Sequence, residues 1–147
     1  MTRRVVTGRR SGRAVVLHDG PAPNRVVRPS TGIVSTLLWA TDESPADISG
    51  SADRAQREIG IPPPRAGSIF RVVEFPPGTA PYMHSTRSVD YAVVLEGEID
   101  MLLDDSEVHL RAGDVVVQQG TNHGWANRGT RSCRVAFVLI DAREIPA

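Results

Sequence analysis

The feature that most constrains this chain is its cadence: short β-branched runs, each cut off by a turn signal. Residues 5–8, 13–18, 33–39 and 68–75 read as strands in the first half. After Gly78 the rhythm tightens through 89–95, 98–103, 108–110, 114–118, 124–127 and 134–141. Turns at this spacing predict an antiparallel sandwich or barrel, an all-β fold. In 98–103, Ile99, Met101 and Leu103 alternate with Glu98 and Asp100, so one face is buried and the other wet. Glu96-Gly97 and Asp104-Asp105-Ser106 read as hairpin tips. Residues 40–67 break the pattern. They are polar, stiffened at the end by Pro62-Pro63-Pro64, with room for one or two helical turns over 53–59. An excursion of this length is expected to be a flap over the barrel mouth or a surface loop.

Composition narrows the function classes. At 147 residues the chain suits a single domain spanning 1–147. Its 17 basic residues balance 17 acidic ones, so no bulk field favours nucleic acid or an anionic membrane. Every basic residue is arginine, which excludes a Schiff-base lysine or a P-loop lysine. The lone Cys133 can form no internal disulfide and reads as a small buried hydrophobe on a strand. No apolar run reaches the length of a membrane span, and the basic N-terminus lacks an apolar signal core. Cytoplasmic residence is therefore expected.

The chemistry concentrates in GTAPYMHSTRSVDYAVVLEG, residues 78–97, and in GDVVVQQGTNHGWAN, residues 113–127. With a side-chain period of two, His84, Thr86 and Asp90 point to one side of an extended segment. His123 closes the second stretch. Two imidazoles and a carboxylate converging inside a small barrel make a divalent-metal site plausible on chemical grounds. The alternative for Asp90 is a pairing with Arg71 or Arg87. Trp125 shares the parity of His123 and Asn127, and so faces the cavity or packs the barrel. Gln118 can orient substrate or water, Tyr82 is a further contact, and Tyr91 faces the other way. His109 reads as solvent-facing, and His18, before an Asp-Gly turn, as surface or interface.

These two stretches resemble the motifs of the cupin family. The first family motif runs Gly, five residues, His, one, His, three or four, Glu, six, Gly. Here it reads Gly78, His84, Thr86, Asp90, Gly97. The second is met by Gly113, Gly120, His123 and Asn127, one residue shorter, with Gln118 in the proline position. The resemblance implies a double-stranded β-helix, or jelly roll, with its core barrel at about 68–141. Residues 1–39 would complete its sheets or a dimer interface. It also implies one divalent transition metal (Fe, Mn, Ni or Zn) held by His84, Asp90 and His123, with Thr86 replacing the family's second imidazole. The expected function is a metal-dependent enzyme on a small oxygenated acid or polyketide-like metabolite, with Asp90 and His123 catalytic. Its reaction would be that of a lyase, decarboxylase, dehydratase or isomerase, or of a dioxygenase with Fe(II). Thr86, Tyr82, Gln118 and Trp125 would contact substrate. The alternatives are a non-catalytic small-molecule sensor with a degenerate metal site, and metal-free acid–base catalysis by His84, Asp90 and His123. Open sheet edges and the strands at 5–8 and 13–18 predict a homodimer.

Overall fold

A computed structural model describes residues 1–146. It is all-β, with eleven strands and no helix among the described residues. Two strands form a separate antiparallel hairpin, β1 (Arg3–Arg10) and β2 (Arg13–Pro21). β3 (Asn24–Val27), β4 (Val34–Thr41), β5 (Ser68–Phe75), β6 (Ser88–Glu96), β9 (Val115–Gln119) and β11 (Cys133–Asp141) make a six-stranded sheet in the order β3-β4-β5-β11-β6-β9. β7 (Glu98–Leu102), β8 (Glu107–Arg111) and β10 (Gly124–Ala126) make the facing sheet, ordered β10-β7-β8. All the ladders are antiparallel.

Alternation decides which side chains meet between the sheets. Ile69 and Phe75 of β5, Val135, Phe137 and Leu139 of β11, and Ala92 and Val94 of β6 turn inward. Ile99, Met101, Leu110 and Trp125 of the small sheet face them. Cys133 joins this core at 0% exposure, and burial pushes its thiol up to about 11. Each fully buried aliphatic side chain here contributes roughly 1.5–3 kcal/mol of transfer free energy. The opposite face of the large sheet carries a smaller cluster, Ala22, Leu38 and Val72. Residues of the β1–β2 hairpin and of 46–54 lie over it.

Several sequence expectations change. Glu96-Gly97 is not a hairpin tip, because β6 and β7 belong to different sheets and Gly97 carries the chain between them. Its φ of 78° and the 2.7 Å between a built Cβ and the Ser132 carbonyl oxygen leave no room for a side chain. The Asp104–Ser106 turn does close a hairpin, β7–β8. Residues 53–59 make a single turn rather than a helix. Asp19-Gly20 is no turn either, since β2 runs on to Pro21. β3 escaped the sequence reading because it is a short, exposed edge strand next to two prolines. β3 and β4 complete the large sheet, whereas β1 and β2 pair only with each other.

The 42–67 excursion is a pinned strap. Arg4 grips Asp53 through two hydrogen bonds, one of 2.8 Å, and also donates to the Leu38 carbonyl. Asn24 donates to the carbonyls of Ala55 and Arg57, and Arg57 pairs with Asp42. Ala55 is fully buried. The strap's far end brings Ile61 to the mouth of the barrel.

Candidate active site

The site forms where the 81–87 segment crosses β10. Gly124 permits this approach: a Cβ there would lie 2.8 Å from the Met83 sulfur and 3.2 Å from Pro81 Cβ. Residues 81–87 are not a strand, but His84 and His123 form an isolated antiparallel bridge. Each backbone N–H donates to the other's carbonyl at 2.9 Å. Their imidazoles are thereby brought to 4.5 Å between centroids. His84 Nδ1 donates to the Tyr82 carbonyl (3.0 Å) and His123 Nδ1 to the Thr121 carbonyl (2.8 Å). A carbonyl oxygen only accepts, so each Nδ1 carries the hydrogen, and in the neutral form of such a ring the lone pair lies on Nε2. Neither Nε2 has a protein hydrogen-bond partner among the described residues. Burial holds the His123 pKa below its usual value; its own carbonyl contact and the Asp90 charge oppose that shift, and His84 adds to it.

Both rings line a cavity of about 150 Å³ between the sheets. An engineered apolar cavity of that size holds benzene, so the enclosed part suits one ring or a short chain. Phe75, Trp125, Phe137 and Leu139 supply its apolar wall. Thr86 and Asp90 also face it, as the parity argument expected, despite the irregular backbone before β6. Ile61, Tyr82, His84 and Thr86 are shared with a wider vestibule of about 670 Å³, so they define the mouth. Tyr82 is 75% exposed and stacks on His84 at 5.6 Å. Trp125 meets His123 and Phe137 edge-on at 6.0 and 5.5 Å.

The expected three-ligand metal set is not assembled. Among the described residues, no three His, Cys, Asp or Glu side chains come together closely enough to share one ion. Asp90 lines the cavity but has protein partners of its own. Its carboxylate accepts from Ser88 Oγ (2.5 Å) and lies 3.5 Å from Gln118 Nε2, tied back into the sheet by an arm one methylene shorter than glutamate. It pairs with neither Arg71 nor Arg87. Arg71 donates to the Gly60 carbonyl, and Arg87 binds Glu144. Gln118 is not among the residues lining the cavity. It sits behind Asp90, where it also accepts from Thr121 Oγ1 at 3.0 Å.

Asn127 is a clip. Fully buried, it donates to the carbonyls of Phe75 and Arg131 and accepts from Gly129 N–H. His18 is half-buried, with its Nε2 sealed and unpartnered among the described residues. His109 is exposed and bonded to Asp100 and Glu98. Sequence reasoning missed Arg28, Arg71 and Ile61 as cavity residues. Arg71 was findable: it holds an inward position between Ile69 and Val73, where alternation asks for an apolar side chain.

Comparison with known proteins matches this architecture. Residues 71–140 fit the Cupin domain family model. Over 149 residues the chain is 34% identical to the cupin-domain-containing oxidoreductase srdD of Neurospora crassa, covering 97% of this chain and 76% of that protein. It is 43% identical over 116 residues to phomopsin biosynthesis cluster protein C' of Diaporthe leptostromiformis, covering 74% of this chain and 61% of that one. Among solved structures, the cupin domain of Schizosaccharomyces pombe Cnp3 superposes with a TM-score of 0.61 at 13% identity, covering 96% of this chain and 88% of that one. The chain belongs to the cupin family.

Proposed function

We propose that this cupin is a small-molecule enzyme in which the His84–His123 pair moves a proton on an oxygenated substrate held in the cavity. The observation that carries this reading is the free Nε2 atom on each ring, left open by two separate Nδ1–carbonyl bonds. His123, kept neutral by burial, is the base. When its ring becomes charged, the nearby Asp90 carboxylate favours that charged form. His84, at the mouth, exchanges the proton with solvent. A proton taken from carbon beside a carbonyl and returned elsewhere on the same molecule is an isomerisation, balanced without an oxidant. The names of the relatives, an oxidoreductase and a biosynthesis cluster protein, support an enzyme acting on a small metabolite. In an oxidation the same proton removal would be coupled to an external electron acceptor such as dioxygen.

Deuterium wash-in at the α-carbon of small aryl carbonyl compounds, followed by NMR, tests this reading. Exchange above the buffer rate is expected for the native protein, falling roughly 10²–10⁴-fold in His123→Ala. Buffer-rate exchange in the native protein, or equal rates in the variant, would sink it. A second reading follows from the 4.5 Å ring separation: a divalent ion bound to the two Nε2 atoms. Elemental analysis of protein purified without chelator decides between them.

A further inference from the structure

We infer that Arg71, backed by Arg28, is an anion-recognition group, and that the substrate is a small carboxylate whose apolar body fills the ring-sized cavity. This rests on the cavity being the substrate site. Arg71 enters from β5, among the inward-facing Ile69, Val73 and Phe75. One guanidinium nitrogen, Nη2, donates to the Gly60 carbonyl at 2.6 Å. Nε is sealed from solvent and has no partner among the described residues, and Nη1 makes no hydrogen bond to them either. No carboxylate lies within ion-pair distance of Arg71 or Arg28 among the described residues. The buried guanidinium of Arg4 is by contrast paired with Asp53 and also donates to the Leu38 carbonyl. Burial and the neighbouring Arg28 charge both weigh against the cation at Arg71.

A partly desolvated, uncompensated cation costs free energy in the empty protein. A carboxylate accepting from it would offset that cost and add a charge-assisted bond. The aromatic and aliphatic wall fixes the rest of the ligand's chemistry, and about 150 Å³ fixes its size. A small arylcarboxylate meets all three conditions. A purely structural Arg71 is the competing account, since its bond to Gly60 braces the strap. The two make different predictions, because a brace supports charged and neutral ligands alike.

The probes are benzoate and its uncharged isostere benzamide, titrated by calorimetry and by tryptophan fluorescence, Trp125 lying in the cavity wall. The native protein is expected to favour benzoate roughly 10- to 100-fold. Arg71→Met should bring that ratio close to one, and Arg71→Lys should restore part of it. Arg28→Met, at an exposed position, should lower it less and guards against misfolding of the deeper variant. A native ratio near one, an unchanged ratio in Arg71→Met, or no benzoate binding at millimolar concentration would overturn the inference. Failure of the proton-transfer reading appears separately, as deuterium exchange that survives His123→Ala whatever the benzoate ratio.

Discussion

Two clusters of the same residue types lie on different sides of the small sheet, and they are wired in opposite ways. On its outer face, His109 bonds Asp100 and Glu98, Arg111 also holds Glu98, and Arg128 bridges Asp100 and Glu107, all within 3.3 Å. Inside the barrel, His84 and His123 keep free nitrogens, and Arg71 has no carboxylate partner among the described residues, nor has the exposed Arg28 at the cavity's edge. The outer cluster is a solvated network whose members satisfy one another, and such pairs add little stability. The inner set is left unsatisfied in a largely apolar enclosure, where unpaired polar groups are costly. A chain keeps such groups there when a ligand completes them. Titratable side chains alone therefore do not mark a site; unpartnered ones gathered on one cavity do.

The contrast breaks first at the histidines. His123→Ala should lower deuterium exchange roughly 10²–10⁴-fold, while His109→Ala should leave it unchanged, as NMR would show. Next in size is the clip that holds the inner cluster. Asn127→Ala strands the buried Phe75 carbonyl and releases the part-buried Arg131 carbonyl and Gly129 amide, and should cost about 2–4 kcal/mol in urea unfolding.

The same histidines should also pull the pH dependence in opposite directions. His123 titrates below its ordinary 6.5 in the folded chain, so between its folded and unfolded pKa values the unfolded state binds more protons. Stability is therefore lost as pH falls from 6.5, and His123→Ala should flatten that loss in a series of melting curves. His109 is raised above 6.5, chiefly by its bond to Asp100. Its contribution is complete below 6.5 and disappears as pH rises through the higher folded value, so His109→Ala should flatten the alkaline side. Screening by solvent makes this second effect the smaller of the two. The least effect is expected at Cys133. With its thiol pushed up to about 11 and fully enclosed, it should resist Ellman's reagent in the native protein and react only after denaturation.

Legibility from sequence followed the range of the forces involved. The strands over 68–141 could be read because alternation is a local pattern, visible in Ile99, Met101 and Leu103. Parity and motif spacing gathered His84, Thr86, Asp90 and His123 and left Trp125 between cavity and packing; all five line the cavity. The crossover at Gly97 was not legible, because a hairpin and a change of sheet share the same turn chemistry. Asp90's contacts with Ser88 and Gln118 were also hidden, since a side chain's choice among partners depends on the folded neighbourhood.

Sequence by itself determined the all-β class, because backbone preference and side-chain alternation act within a few residues. The cupin barrel and its two histidine-bearing segments came from the resemblance of two motifs to that family. Only the tertiary structure decided which polar groups find partners. Pairing depends on distances between β5, β6, β9 and β10 that no local pattern encodes. That difference leaves His84, His123 and Arg71 open to a ligand and closes Asp100, His109 and Arg128 on one another.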